Sequence, residues 1–430
     1  MRSPTSRRRL KGVSSRPPSL YTIRMQNTDV IILGGGLVGL TLALALDAHG
    51  VSSVVIDPAD PQAMLAPGFD GRASAIASAS HRMLEAIGVA DRIAGLGCPI
   101  KGIRVSDGLE PGALDFTPDD DDGALGTMYE NRALRRALFD AADAAKHVTL
   151  AMRTRAVSQT RDSAAATVVL DDGRTFTAPL LIAAEGRNSP TRTAAGINVA
   201  RWSYDHVAMV TGITHERPHG NIAYEIFYPA GPFAILPMVD AADGSHRSAI
   251  VWSVKAADAP GFTKLSDRAF AHEAEKAMGG FLGTIAMNAP RASYPLGFHH
   301  TAKITGERLA LVGDAAHGIH PIAGQGLNLG LRDAAALAEV IVEGMRLGLD
   351  PGDAQLLARY ERWRALDTFM VAASTDGLTR LFGVPGKTAS AVRRFGLGAI
   401  QRIRPLKDRF MAEARGESGQ LPKLLQGITV

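Results

Sequence analysis

The stretch from Asp29 to Asp57, D-V-I-I-L-G-G-G-L-V-G-L-T-L-A-L-A-L-D-A-H-G-V-S-S-V-V-I-D, narrows the choice of folds more than any other part of the chain. A short apolar run, Val30 to Leu33, reaches glycines at Gly34, Gly36 and Gly39. A helical pattern then continues to Ala48, and a second apolar run, Val54 to Ile56, ends on Asp57. The order is strand, tight turn, helix, strand. In a G-x-G-x-x-G spacing the first glycine makes the turn, the second lets the backbone approach a pyrophosphate, and the third lets helix and strand pack closely. The helix start offers unpaired N–H groups and a positive dipole end to the phosphates. Asp57 stands 21 positions after Gly36, where a carboxylate accepts hydrogen bonds from an adenosine ribose. The competing reading of Val30 to Leu46 is a membrane span, but 17 residues broken by glycines at turn spacing argue against one.

With 430 residues, 46% of them hydrophobic, the chain has room for one large or two ordinary domains around a real core. The single cysteine, Cys98, excludes an intramolecular disulfide framework, fits a reducing compartment and reads as a packed small side chain. A pI near 9.2 invites a nucleic-acid partner. The first 24 residues, however, hold seven Lys or Arg and no acid, and without them 40 basic side chains face 43 acidic ones. The basicity belongs to the tail, so nucleic acid is excluded as a partner. Ser6 to Lys11 resembles a twin-arginine signal without the apolar region that export needs, and the Arg- and Ser-rich leader also has the composition of an organelle transit peptide. The reading adopted is a disordered basic extension over residues 1–24 with Met25 as the start, and a cytoplasmic protein.

Past Asp57 a Pro-rich loop leads to F-D-G-R-A-S-A-I-A (Phe69 to Ala77), with Arg72 at its tip. Four consecutive aspartates, Asp119 to Asp122, read as a solvated loop, since no other ligand residues are interleaved among them. Y-E-N-R-A-L-R-R-A-L from Tyr129 opens a helix with Asn131 as N-cap and Ala133, Leu134, Ala137 and Leu138 on its apolar face. Arg132 in the first turn is oddly placed for the helix dipole, a mismatch that a bound pyrophosphate relieves. Residues 147–185 read as a β-meander turning at Asp172-Gly173. Its last apolar strand, Leu180 to Ala184, delivers Glu185, Gly186, Arg187 and Ser189 to a strand end, where open sheets collect their ligands.

From Arg201 to Arg291 the pattern becomes alternating strands rich in aromatics, including Tyr224, Phe227, Tyr228, Phe233 and Trp252, with one helix near Asp267 to Met278. Such a sheet is either a pocket wall for a hydrophobic substrate or an ordinary core. The chain then returns to the first domain through Arg308 to Val312 and G-D-A-A-H-G-I-H-P-I-A-G-Q-G-L-N-L-G-L-R-D (Gly313 to Asp333). This places Asp314 at a strand end and starts a long amphipathic helix near Leu327. His317 and His320 lack a third ligand, so no metal site is expected. G-V-P-G-K-T, Gly383 to Thr388, lacks the upstream glycine of a phosphate loop. Thr388 to Arg415 is a basic amphipathic region interrupted by Pro405, suited either to a membrane surface or to packing on the body.

The three glycine-bearing blocks, around Gly34, Gly186 and Gly313, resemble those of the group A flavoprotein monooxygenases. The finer matches are D-G-R-A-S-A-I-A, G-Q-G-L-N-L-G-L-R-D-A-A-A-L-A-E-V-I, Y-E-R-W-R-A-L-D and T-D-G-L-T-R-L-F, with the late P-L-K-x-x-F-M and L-P-x-L-L. These are similar to the ubiquinone-biosynthesis hydroxylase subfamily, over about Met25 to Gly427. The resemblance implies an α/β chain of the aromatic-ring hydroxylase fold. A Rossmann-like FAD-binding domain (25–200 and 292–386) would carry an inserted mixed or antiparallel substrate sheet (201–291) and a C-terminal helical segment (387–430).

The same resemblance implies that Gly34, Gly36, Gly39 and Asp57 hold the ADP half of FAD and that Arg72 and Arg132 lie along the ribityl and pyrophosphate path. Asp314 would bind the ribityl or pyrophosphate, and Gly324, Gln325, Gly326, Leu327 and Asn328 would line the flavin ring. Glu185 stands where the family usually has Asp, in a motif linked to both FAD and NAD(P)H. Tyr224, Phe227, Pro237, Trp252 and Pro321 are the candidates for the substrate pocket. The implied reaction is hydroxylation of a polyprenylated phenol by O2 through a flavin C4a-hydroperoxide, with electrons from NAD(P)H or a separate reductase. A quinone-biosynthesis complex and a peripheral contact with the inner face of the membrane are the implied partners. The rival activities are a prenyl reductase, a halogenase and a non-catalytic FAD-binding subunit.

Overall fold

The computed structural model describes residues 25–66, 68, 70–118, 123–318, 325–365, 386, 393, 396, 398 and 400–430. The basic tail, the aspartate run, His320, Pro321, Gly324 and nearly all of Gly383 to Thr388 lie outside them. Along the chain, β1 (Val30–Leu33), α1 (Leu37–Asp47) and β2 (Ser53–Asp57) make the first β-α-β unit. Then come β3 (Ala73–Ala77), β4 (Gly102–Asp107), β5 (Gly126–Glu130), α2 (Asn131–Ala144) and β6 (Val148–Met152). A small antiparallel meander precedes β7 (Leu180–Ala183) and the short α3 (Pro190–Ala194). β8 (Val199–His215), β9 (Ile222–Tyr228), β10 (Gly231–Met238) and β11 (His246–Lys255) run consecutively into α4 (Asp267–Met278). β12 (Ala292–Thr301), β13 (Leu309–Leu311), α5 (Gln325–Arg346) and α6 (Arg404–Ala414) follow.

The apolar run Val30–Leu33 is the inner strand of an open sheet ordered Thr305–Gly306, β13, β7, β1, β2, β6. The strands from β13 to β6 are parallel neighbours. A parallel strand covered on both faces needs a continuous apolar run, and Val30, Ile31 and Ile32 are fully buried. Leu40 to Leu46 of α1 are buried as well. The apolar stretch is thus a strand, a turn and a helix inside a domain core, and among the described residues no helix is long and apolar enough to cross a membrane.

The 147–185 region divides between two sheets. β6 and β7 join the parallel sheet, so the meander is confined to Ala156–Arg161, Ala166–Leu170 and Thr175–Ala178, with Met25–Asn27 added in parallel at its edge. Its turn is the expected one, Gly173 lying in the left-handed region at φ +87°.

The largest sheet is ordered His317–Gly318, β12, β8, β11, β10, β9, β4, Leu114–Phe116. It therefore draws strands from outside 201–291: β4 and Leu114–Phe116 come from before it, and β12 and His317–Gly318 from after. One face of this sheet carries α4. The other meets β3 and β5, and there Phe227, Met238 and Ala249 pack with Met128, Ala73 and Ala75. The site lies along that seam.

Candidate active site

The chain between β1 and α1 is shaped by what surrounds it. Gly34 has φ +110°, and a Cβ there would lie 2.4 Å from the Ala184 carbonyl oxygen; at Gly39 a Cβ would lie 2.0 Å from the oxygen of Gly34. Gly36 differs, since a Cβ there would meet nothing within 4 Å. The first and third glycines serve packing, and the second opens onto space. Gly36 caps α1 without any side-chain hydrogen bond, leaving the helix start to a ligand. At the end of β2, Asp57 accepts the Gly35 N–H at Oδ2 (2.6 Å) and the Ala59 N–H at Oδ1 (2.7 Å), which fixes the carboxylate at the lip.

Gly35, Gly36 and Asp57 line a cleft of about 690 Å³ together with Asp70, Arg72, Arg132 and Arg135. Arg72 reaches Asp70 at 2.5 Å. Burial alone would raise the Asp70 carboxyl, but the hydrogen bonds from Arg72 outweigh it and hold the pKa below the usual range. Arg135 has no hydrogen-bond or ion-pair partner among the described residues, and burial together with the charge of Arg72 pushes its pKa down. The buried Nε of Arg132 also lacks a partner, and its nearest acid, Glu130, is 3.7 Å from Nη2. With Arg72 held by Asp70, Arg135 and the Nε of Arg132 still leave positive charge in the cleft that no described acid takes up, which calls for an anion. The diphosphate of a dinucleotide fits that description.

Asn131 is not the N-cap of α2. Glu130 holds that position without capping, while Asn131 is the first helical residue and its Oδ1 accepts the Ser74 hydroxyl (2.6 Å). Its own N–H goes to the Arg72 carbonyl (3.0 Å). The amide side chain thus joins the helix to β3 and places Arg72 and Arg132 on the same cleft.

The blocks around Gly186 and Gly313 lie side by side beyond α1. Glu185 accepts the Ser189 hydroxyl (2.5 Å) and the Thr191 N–H (3.2 Å), so its carboxylate is engaged by the turn into α3. Arg192, 1% exposed, donates to the carbonyls of Ala315 and Arg187, both at 2.8 Å, and clamps the two blocks together. Gly313 sits against Val38, its Cβ position 3.2 Å from that side chain, so Asp314 follows close to the first turn of α1. Asp314 does not line the phosphate cleft itself. Its side chain is solvent-accessible, yet the surrounding protein raises its carboxyl pKa, with His317 and Arg187 offsetting part of the effect. His299 donates its Nε2–H to the Asp314 carbonyl oxygen (2.8 Å), and burial drives its pKa down to about 4. A neutral ring is the donor there.

Beneath Gly313 lies a buried ionic knot. Asp333, fully buried, accepts the Gly313 N–H at 2.9 Å and meets His317 Nε2 at 2.6 Å and Arg364 Nε at 2.7 Å. Burial opposes its ionisation, but His317 and Arg364 outweigh that and hold its pKa low. His317 is thereby committed to a carboxylate. At the start of α5, Gly326 opens onto space as Gly36 does, and Leu327 packs on the domain core. Asn328 accepts the Ala77 N–H (2.9 Å) and donates to the Ala75 carbonyl (2.8 Å), so its side chain staples α5 to β3. Gln325 lies beside it in a small hollow.

Residues 27–371 match the FAD binding domain family. The chain belongs to that family. It is 45% identical over 403 residues to ubiquinone hydroxylase UbiL of Rhodospirillum rubrum, 93% of each chain. It is 33% identical over 393 residues to the 3-demethoxyubiquinol 3-hydroxylase of Escherichia coli, 91% of this chain and 99% of that one. Human ubiquinone biosynthesis monooxygenase COQ6 is 30% identical over 436 residues, 90% of this chain and 92% of that one. Among solved structures, p-nitrophenol 4-monooxygenase PnpA from Pseudomonas putida superposes with a TM-score of 0.75 over 92% of this chain and 100% of that one; at 17% identity the likeness is one of fold. The chain is an FAD-dependent monooxygenase.

Strand alternation redistributes the aromatic residues expected at the substrate pocket of this family member. Along β9, Tyr224 and Tyr228 pack on the α4 side and Phe227 on the other. Trp252 packs edge to face with Phe233 (5.0 Å between centroids) and with Phe262 (4.9 Å), on the α4 side. Pro237 shares that outer face, because its cross-strand partner Ser248 alternates with Ala249, which faces inward. Tyr224 and Trp252 are thus core of the sheet–helix layer, Pro237 is on the same face, and of the described candidates Phe227 alone is on the face toward β3 and β5. Side chains of adjacent strand residues leave on opposite faces, so neighbours such as Phe227 and Tyr228 do not share a pocket.

Four features escaped sequence reasoning. Arg135 was findable, since three residues after Arg132 is the same helix face. Asp333 stood inside an apolar helix pattern, which marks a buried charge needing partners. Its partner Arg364 is 31 residues away and carries no local signal. The fourth is Glu130, which joins Arg247 of the wall (2.8 Å) to Arg132 of the cleft.

Proposed function

We propose that this chain hydroxylates the aromatic ring of a lipid-soluble phenol on the route to ubiquinone, with FAD and O2. The activities printed for relatives that match more than nine-tenths of the chain support this reading. The carrying observation is the seam itself: a cleft bounded by Arg72, Arg132 and Arg135 adjoins the apolar inner face of a large mixed sheet. When bound, FAD supplies the chemistry of O2 activation and oxygen transfer.

The chain's own residues bind, orient and exclude water. In this reading Asp57 takes the ribose, Gly36 and the α1 start take the diphosphate, and Arg72, Arg132 and Arg135 neutralise it. Gly34 and Gly39 hold the turn, Asp314 faces the polar linker of the cofactor, and Gln325 to Asn328 present backbone N–H groups to the ring. Glu185 acts through the turn it caps. Nucleotide binding belongs to 25–200 and 292–386, apart from β4, Leu114–Phe116 and β12, which serve the wall. Phe227, Met238 and Ala249 keep water from the reacting ring.

Reduction comes from NAD(P)H bound transiently or from a separate reductase. Ile403, 50% exposed, and Phe410, 39% exposed, stand among exposed Arg402, Arg404 and Arg409, which supports a peripheral membrane contact through α6. The test is a strain lacking this protein: accumulation of a precursor short of one ring oxygen, relieved by the wild-type chain and not by a Gly36→Val variant, is the expected result. An unchanged quinone profile sinks the reading. Anaerobic addition of NADPH to FAD-loaded protein separates the electron donors, since direct donation bleaches the flavin.

A further inference from the structure

Glu225 lies in the middle of β9, and alternation sends its side chain to the inner face with Ala223 and Phe227. The residues level with it on the neighbouring strands are Val105 and Ala234. It makes no hydrogen bond or ion pair with any described residue. The other polar groups of this face are engaged or distant. Asp107, opposite Phe227, is paired with Arg393 at 3.1 Å. On β11 the residue in register with Ala234 is Val251. Arg247, which meets Glu130, and Lys255, which lies across from His206, are each about 13 Å along that strand from Val251. Tyr294 pairs across to Ala208, further out on β8. The inward residues of β10, Ala234, Leu236 and Met238, are apolar.

An acid on an apolar wall with no partner among the described residues is costly unless it is neutral or has a ligand to meet. Its side chain remains partly accessible, and burial pushes its carboxyl up to about 8.

We propose that Glu225 holds the ring hydroxyl of the phenolic substrate against the inner face of the sheet, its carboxyl accepting the phenol O–H hydrogen. The inference rests on the hydroxylase reading above. A neutral acid suits a neutral, lipid-soluble phenol, because neither partner carries a charge into an apolar site. Fixing the oxygen fixes the ring's rotation about the wall, and with it the carbon offered to the cofactor, so Glu225 is also a determinant of which position is hydroxylated.

The test uses the FAD-loaded full chain, with 2-geranylphenol and its methyl ether as probes. Binding is read from the change in flavin absorbance, and thermal unfolding and flavin content control for folding. The wild type is expected to prefer the phenol over the ether by roughly tenfold. Glu225→Leu abolishes the preference, and Glu225→Gln, whose amide oxygen still accepts, keeps most of it. A Leu variant that retains the full preference overturns the assignment of Glu225 and leaves the hydroxylase reading standing. Wild-type protein that binds and oxidises neither probe overturns both.

Discussion

At the cleft, Gly34 and Gly39 have backbone atoms where a side chain would begin, whereas on the wall β9 sends Tyr224 and Tyr228 one way and Phe227 the other. The cleft is made of chain path, and the wall of side chains set on a regular pleat. A single change in the first redirects the backbone and everything attached to it. A change in the second alters one patch of surface. The two should therefore answer substitution very differently, and the contrast can be attacked in order of size.

The heaviest blow to the cleft side is Asp333→Ala, which leaves buried His317 and Arg364 without their acid. A loss of about 3–5 kcal/mol is expected, with the flavin lost too. Chemical unfolding and flavin content measure it, and a variant within ~1 kcal/mol of wild type would show that the knot is not what holds Gly313. The low pKa of Asp333 adds a sign: its stabilisation is present above the unfolded carboxylate value near ~4 and is lost as pH falls below it.

Next come the glycines as a pair. Gly34→Ala meets both strain and a carbonyl and is expected to cost about 2 kcal/mol or more. Gly36→Ala keeps unfolding within about 1 kcal/mol yet weakens FAD by roughly tenfold or more, since its Cβ fills the space left for the diphosphate. Equal stabilities for the two variants would erase the distinction drawn between packing and binding glycines. Arg135→Met should weaken FAD by roughly tenfold and flatten the salt dependence of binding, with unfolding unchanged; isothermal titration at two ionic strengths decides it.

On the wall, the raised carboxyl of Glu225 costs stability as pH climbs from its unfolded value near ~4.3 toward about 8, because folding then requires a proton. Glu225→Gln removes that cost, so the Tm advantage of the variant should grow from pH 5 to pH 9. A pH-independent difference contradicts the burial of the acid. The smallest effect is expected from Trp252→Phe, about 1 kcal/mol of packing against Phe262 and Phe270, with substrate affinity within twofold. A large fall in affinity would return Trp252 to the substrate side.

How far each region was legible follows from the same contrast. The cleft announced itself because Gly34, Gly36, Gly39 and Asp57 fall within one contiguous stretch and each answers a local requirement of the backbone. Arg72 was singled out through the resemblance, its loop position saying little alone, whereas Arg132 was already marked by a first-turn position at odds with the helix dipole. Asn131 was misplaced by one position, since a helix start with an amide beside it looks the same whether the amide caps the helix or reaches another strand. The wall was recognisable as a sheet, but which face each aromatic takes depends on pairing register. One residue of shift exchanges Phe227 with Tyr228. Glu225 was passed over because an acid between aromatics reads as the solvent face of a strand until the partner layers are known.

Glu130 gives one further consequence. Its carboxylate stands between Arg247, at one end of the wall, and Arg132, in the cofactor cleft. One carboxylate is therefore shared by the wall and the cleft, so on the proposed placement of substrate and flavin the two binding sites have an acid in common. Thermodynamic reciprocity then requires that whatever factor the organic substrate imposes on flavin affinity, the flavin imposes in equal measure on the substrate.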